Sequence, residues 1–449
     1  MQFVLLYLER GMSRVANLFQ NNRLLGNTLK LTGGSVINYL IPIITTPILS
    51  RIFSPSEYGD WGIFSSITTI LTVFICGGYE FAIVESQSEN EKKSISQLCL
   101  IICLLFNFLL LGVILICDAF HVKLVDFDQT YLIPAYLLFA GFNAILYNLS
   151  NAQQKYKCLA ISQVMSGLVM AGMRIVFGLL NVHNGLVYGA ILSLIVVVVY
   201  LSVKVNFKVV LSSKTNTKEF VGIIKEYKNY PLFDAPSTFL VYLSNNIPIL
   251  ILGAHYGKEY IGCYTMVLHL LLLPMSFIGS NMSKVFFQQI AEKGADIPSN
   301  SRSVFRLSFW LGLLVIAFFV CGGDYVIYWF LGGDWEVAKV YALYLSLWSF
   351  FTIAFAPLKP IYRVRRKQNI QMGIVAVSFI FQCLVLLTCS HFYDDIGTVV
   401  LIYSMVCAVF KLLEGGYLLH LCDSVIIATN KVFIVSTVIA LALWVVRVL

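Results

Sequence analysis

Charge is what this chain has least of. Of its 449 residues only 12% are Asp, Glu, Lys or Arg, and 59% are apolar, whereas soluble proteins carry roughly 25% charged residues. With a mean hydropathy of +0.82, a soluble globular protein is excluded. The chain reads as a membrane protein. At about 20 apolar residues per span, a dozen spans would absorb most of the apolar residues and leave little for a catalytic module outside the bilayer. No C-x-x-C pair occurs, and the eleven cysteines fall almost wholly inside apolar runs, without histidines at ligand spacing. Disulfide, redox and zinc chemistry are therefore disfavoured, and no cofactor is expected. No cleavable signal peptide is expected either, because the first apolar run, Phe3 to Leu8, is short and meets Glu9 and Arg10 at once. The excess of basic residues, 31 against 23 acidic, implies no nucleic acid here, since topology explains it.

What is present is a series of apolar runs bounded by charge or turn residues. They lie near 31–50, 60–84, 94–117, 131–150, 158–180 and 185–203, and then near 231–253, 260–282, 303–321, 337–358, 370–390 and 396–419. A thirteenth, from 432 to 448, is short. The expected fold is an all-α integral membrane protein of two six-helix bundles around a central cavity, twelve transmembrane helices with a thirteenth left open. The divisions are a cytoplasmic segment over 1–30, bundles over 31–203 and 231–421, a lysine-rich linker over 204–230, and an extra segment over 422–449.

With the N-terminus inside, the cytoplasmic segments carry 25 of the Lys and Arg residues and the outer loops five: Arg51, Lys123, Lys258, Lys339 and Arg447. Acidic residues show no such bias. That alternation is the positive-inside signature. Placing Glu57-Tyr58 over Glu259-Tyr260 gives an offset of 202, and an even number of spans per repeat keeps both halves in one orientation, as in transporters with parallel halves.

Polar groups facing lipid are costly, so stripes of them mark an interior. Ser65, Thr69, Thr72, Cys76 and Glu80 form one face of span two; Ser35, Asn38, Pro42 and Thr45 do so on span one; Asn143, Tyr147 and Gln154 on span four; Asp234, Thr238 and Asn245 on span seven. Asn38, Asn143, Asn245 and His269 lie roughly nine to fourteen residues into their spans, near mid-membrane at about 1.5 Å per residue. For His269 a neutral core histidine with one partner is the commoner case. Asp234 could simply favour the start of its helix, and Glu80, after Gly77-Gly78, could be interfacial. If transport is driven by an ion gradient, Glu80 and Asp234 are the carboxylates placed to respond. Arg174 lies in the outer third of span five, where it could pair with an anion or snorkel to the surface.

The stretch from Leu24 to Gly62, with Gly33-Gly34, Pro42, Pro47, Arg51 and the turn Ser54-Pro55-Ser56-Glu57-Tyr58-Gly59, resembles the start of the polysaccharide transporter family, the O-antigen or lipid-linked oligosaccharide flippases of the MOP superfamily. The layout of six plus six spans extends the resemblance over most of the chain, and the thirteenth run departs from it. The resemblance implies a multi-pass protein of the bacterial inner membrane that moves an undecaprenyl-diphosphate-linked oligosaccharide to the periplasmic leaflet. It also implies partners among membrane lipids and other polysaccharide-assembly proteins. The central cavity, often cationic in that family, takes the headgroup, so Arg51 and Arg174 join Asn38, Asn143, Asn245 and His269 as candidate cavity residues.

Three other classes compete. An ion-coupled exporter of drugs or metabolites would share the fold and the buried carboxylates. A membrane polymerase or ligase of the same pathway would need catalytic groups on a large outer loop, and the outer loops here are short. A channel would need a repeated selectivity loop, and none is visible.

Overall fold

Inside a bilayer the backbone must satisfy its own hydrogen bonds, so apolar runs of this length fold as helices. The computed structural model describes residues 40–121, 129–207, 217–291, 296–424 and 431–448. Among them eleven helices are long and apolar enough to cross a membrane, a bent pair makes a twelfth, and a shorter apolar helix, Leu40–Ile52, stands beside them. The expected segment 1–30 and the start of span one, with Ser35 and Asn38, lie outside the described residues.

The first half comprises α1 (Leu40–Ile52), α2 (Pro55–Ile75), α3 (Glu89–Ala119), α4 (Leu132–Ala152), α5 (Tyr156–Leu179) and α6 (Gly185–Val205). Span two is not straight: α2 and the segment Tyr79–Glu85 meet at 63°, across Gly77 and Gly78, both at positive φ. Only glycine takes that conformation without strain. Within this half α5 packs on α6, and α4 packs on both α3 and α6.

The linker contains a ten-residue amphipathic helix, α7 (Thr217–Glu226), which packs on α3; residues 208–216 lie outside the described set. The second half comprises α8 (Ala235–His255), α9 (Lys258–Ala291), α10 (Ile297–Phe318), α11 (Asp324–Leu331), α12 (Glu336–Phe355), α13 (Gln368–Phe392), α14 (Ile396–Leu421) and α15 (Lys431–Val448). The run expected over 303–321 in fact extends from Ile297 to Leu331, interrupted at Phe319–Gly323 by a wide turn. Helix α15, from the short thirteenth run, packs on α10 and α12. Trp444 is buried there and donates its indole N–H to the Leu343 carbonyl at 2.9 Å.

The two halves meet along α2, which packs against α8 and α9. Small residues let the backbones touch. A Cβ on Gly59 would run into the Lys258 carbonyl, and one on Gly262 would overlap the Pro55 carbonyl. The Ser54–Gly59 turn is the start of α2: Ser54 caps it, and its backbone N–H donates to the Glu57 carboxylate at 2.8 Å, a reciprocal capping box. The offset of 202 carries this helix start onto the start of α9, so equivalent turns from the two halves cross each other.

Candidate functional site

At one end of the molecule the halves are sealed. The Arg51 guanidinium, at the end of α1, donates to the carbonyls of Pro47 (2.6 Å), Phe330 (3.1 Å) and Trp329 (3.3 Å). Beside it the Ser50 hydroxyl donates to the Leu331 carbonyl at 2.7 Å, and the Trp335 indole donates to the Ser50 carbonyl at 2.8 Å. The Tyr58 ring meets Trp335 edge-on with centroids 5.2 Å apart, and Lys258 pairs with Asp60 at 2.9 Å. Every one of these contacts except Arg51 to Pro47 joins the first half to the second. Arg51 therefore sits in the seal, with Nη1 and Nη2 donating to backbone carbonyls.

Directly under the seal lies Arg174. Its side chain is 8% exposed, with the guanidinium carbon 4.2 Å above the centroid of the Trp61 ring and Nε donating to the Leu186 carbonyl at 3.1 Å. Gly189 makes room for the stem, since a Cβ there would press on Arg174 Cγ. The side chain points into the protein, which removes the snorkelling alternative. Its Nη2 has no hydrogen-bond partner among the described residues, and neither does the neighbouring Trp61 indole N–H. No described carboxylate pairs with it. The charge of Arg174 reaches Tyr58, Tyr136 and, across the seam, His269. His269 breaks the buried run Ile261–Leu268 of α9 with an exposed side chain, and Asn245 on α8 is exposed as well. On α4, Asn143 is half-buried with its carbonyl oxygen unpaired.

Toward the other end a cavity of about 150 Å³ lies between the halves, and beyond it the Tyr230 hydroxyl donates to the Glu85 carboxylate at 2.6 Å while its ring stacks on Phe81. Thr72, Cys76 and Glu80 line it from span two, Asp234, Thr238 and Tyr242 from the second half, and Ala140, Gly141 and Ala144 from α4. The lower part of the span-two stripe and the start of the span-seven stripe thus face one another. One Glu80 carboxylate oxygen is enclosed without a partner; Asp234 is exposed, at the end of the π-helical turn Tyr230–Asp234 that precedes α8. Glu80 and Asp234 thus line one cavity from opposite halves. The volume is well below the roughly 300 Å³ at which small-molecule pockets begin, so no sugar fits there in this conformation.

Four ion pairs in the second half were not singled out in the sequence. Glu414 on α14 is buried and pairs with Lys411 (2.9 Å) and Lys359 (3.4 Å); the Lys411 to Glu414 spacing of three was visible, but Lys359 is brought in by folding. Asp324, buried, accepts from Arg447 at 3.2 and 3.1 Å, a pair 123 positions apart with no local signal. The Arg365–Asp423 pair closes the loop after Val364 onto the end of α14.

Two helical bundles joined at one end, with a buried cation and a small acidic cavity along their seam, make up the two-lobed architecture of this all-α membrane protein. The fold is that of the MOP superfamily. The structure is similar to a lipid II flippase MurJ in an inward closed conformation, with a TM-score of 0.67 and 12% identity over 93% of this chain and 97% of that one. It is also similar to an inward-facing multidrug resistance MATE family transporter, with a TM-score of 0.57 and 14% identity over 85% and 95% of the two chains. A third likeness is a MOP superfamily transporter from Pyrococcus furiosus, at 0.53 and 13% over 88% and 95%. No curated protein sequence matches significantly. A family model described as polysaccharide biosynthesis protein matches residues 48–340, more than half of the chain. The chain belongs to that family.

Proposed function

We propose that this protein is a flippase that moves an undecaprenyl-diphosphate-linked oligosaccharide, such as an O-antigen or similar surface-polysaccharide repeat unit, across the bacterial inner membrane by alternating access. The observation that carries the reading is Arg174, a buried guanidinium with a free Nη2 and no counter-carboxylate, held on Trp61 beneath a seal that joins the halves. A buried cation without an anion is costly, and a diphosphate entering the seam supplies one, with the geometry a guanidinium favours. Membership of a polysaccharide biosynthesis family supports the sugar-linked cargo.

In this reading the oligosaccharide lipid enters from the cytoplasmic leaflet with the Arg51 end shut, and leaves when that seal parts and the Glu80 end closes. The N-terminus lies in the cytoplasm, as the basic loops require, and other polysaccharide-assembly proteins act on either side. Glu80 and Asp234 belong to the coupling: two negative charges facing each other across the cavity resist closure until a proton or a small cation neutralises them. The same carboxylates are the feature that favours the second reading, an ion-coupled exporter of drugs or metabolites.

The test is translocation of a fluorescent polyprenyl-diphosphate-linked sugar between the leaflets of proteoliposomes holding the purified protein, with glycosyl transfer and export of a cationic dye measured in parallel. Translocation without transfer is expected. Dye export with no movement of the lipid-linked sugar would replace the flippase by the exporter. Glu80→Gln and Asp234→Asn are expected to leave gradient-free exchange in place and to lower gradient-driven transport by about tenfold or more. Undiminished driven transport in both would place coupling elsewhere.

A further inference from the structure

We propose that Arg447, on the thirteenth helix, is a positioning residue that sets how readily the seal opens, by pinning the hinge of the half-helix α11. The inference rests on the alternating-access reading. Helix α11 is a rigid rod of eight residues, Asp324–Leu331. At its start the preceding wide turn holds Gly322 at a φ of 106°, and at its end Gly332 has the same φ. A side chain at φ near +106° is strained, so both joints are built for bending, as hinges between rigid segments are.

The far end of the rod is the second half's side of the seal, because the carbonyls of Trp329, Phe330 and Leu331 receive Arg51 and Ser50. The near end is held by α15. Arg447 Nη2 reaches both oxygens of the buried Asp324 carboxylate, and its guanidinium lies 5.3 Å from the centre of the Tyr325 ring. Lys339 of α12 lies over Tyr325 and Tyr328 at 5.5 and 5.6 Å and adds a second cation to the same rod. Helix α15 is itself anchored away from the hinge, through Trp444 on Leu343 and through Phe433 against Phe305 and Phe309 at 5.5 and 4.9 Å. It therefore serves as a fixed post. Fastening the near joint of α11 keeps its far carbonyls in register with Arg51; releasing that joint lets the rod tilt and the seal part.

Hydrogen–deuterium exchange of the full chain in nanodiscs, without substrate, tests this independently of what is transported. Arg447→Ala is expected to raise exchange in α11 and in residues 50–53 by at least about tenfold. A nearly buried carboxylate that loses its partner costs more than the roughly 1.4 kcal/mol that a factor of ten represents. Exchange in residues 433–444 of α15 should stay as it was. The double replacement Arg447→Asp with Asp324→Arg should return α11 toward its original rate. Arg447→Gln, which keeps most of the stem, is the second variant and should behave as the alanine does. Unchanged α11 exchange in either single variant overturns the proposal, as does a rise shared equally by α11, α12 and α15, which would mark plain loss of packing.

Discussion

At the scale of single residues, Arg174 decides between two kinds of cation. One that supports only packing tolerates lysine, because stem and charge survive. One that chelates a diphosphate does not, since an ammonium lacks the planar fork and loses its stacking on Trp61. Arg174→Lys is expected to lower lipid-linked sugar translocation by roughly tenfold and Arg174→Ala by more, at matched amounts of protein in the membrane. Surface-polysaccharide display in cells reads the same thing. Normal display with alanine would take Arg174 out of the site. The sequence made this residue visible because a lone arginine in an apolar run stands out. It could not show the direction of the side chain, which depends on Gly189 and Trp61 from two other helices. Arg51 was equally visible, and its role was not, because its partners are backbone carbonyls of Trp329 and Phe330, which carry no sequence signature.

Among the elements, the spans themselves were legible in detail, because lipid forces every long apolar run into a helix. Boundaries moved where charge sits inside a helix: α3 begins at Glu89, several residues before the apolar run, with its first turn outside the hydrocarbon region. The broken span α10–α11 was shortened in the sequence reading because Gly322-Gly323-Asp324 looks like an end. Its half-buried partner Arg447 is what allows Asp324 to stay inside. Crossing of α2 and α9 depends on glycine at fixed points. Replacing Gly262 by alanine would set a methyl on the Pro55 carbonyl, and backbone cannot yield as a side chain does. Gly262→Ala is expected to cost about 1–3 kcal/mol, seen as a lower midpoint of thermal unfolding in detergent and as less folded protein in the membrane. Gly416→Ala on α14, with nothing within 4 Å, is the matched control and should leave the midpoint in place. Equal midpoints for the two would mean that the helices separate at no cost.

For the whole molecule, direction is the property that follows from charge. The structure gathers Arg51, Lys258, Lys339 and Arg447 around one end: Arg51 on the Trp329 and Phe330 carbonyls, Lys339 and Arg447 on Tyr325, and Lys258 on Asp60 beside the Tyr58–Trp335 contact. Each is tied down by a carbonyl, a ring or a carboxylate. In the proposed orientation, with the lysine- and arginine-rich segments held on the cytoplasmic side during insertion, the seal faces the periplasm and the Glu80–Asp234 cavity faces the cytoplasm. Reporter fusions at Lys214 and Lys367 should then read cytoplasmic, and fusions at Lys123 and Asp394 periplasmic; positions 123 and 214 lie outside the described residues and are chosen on sequence alone. The opposite readings at all four sites would invert the direction of transport and turn the Arg51 seal into an entrance gate. Mixed readings would break the alternation of spans on which the pairing of α2 with α9 depends.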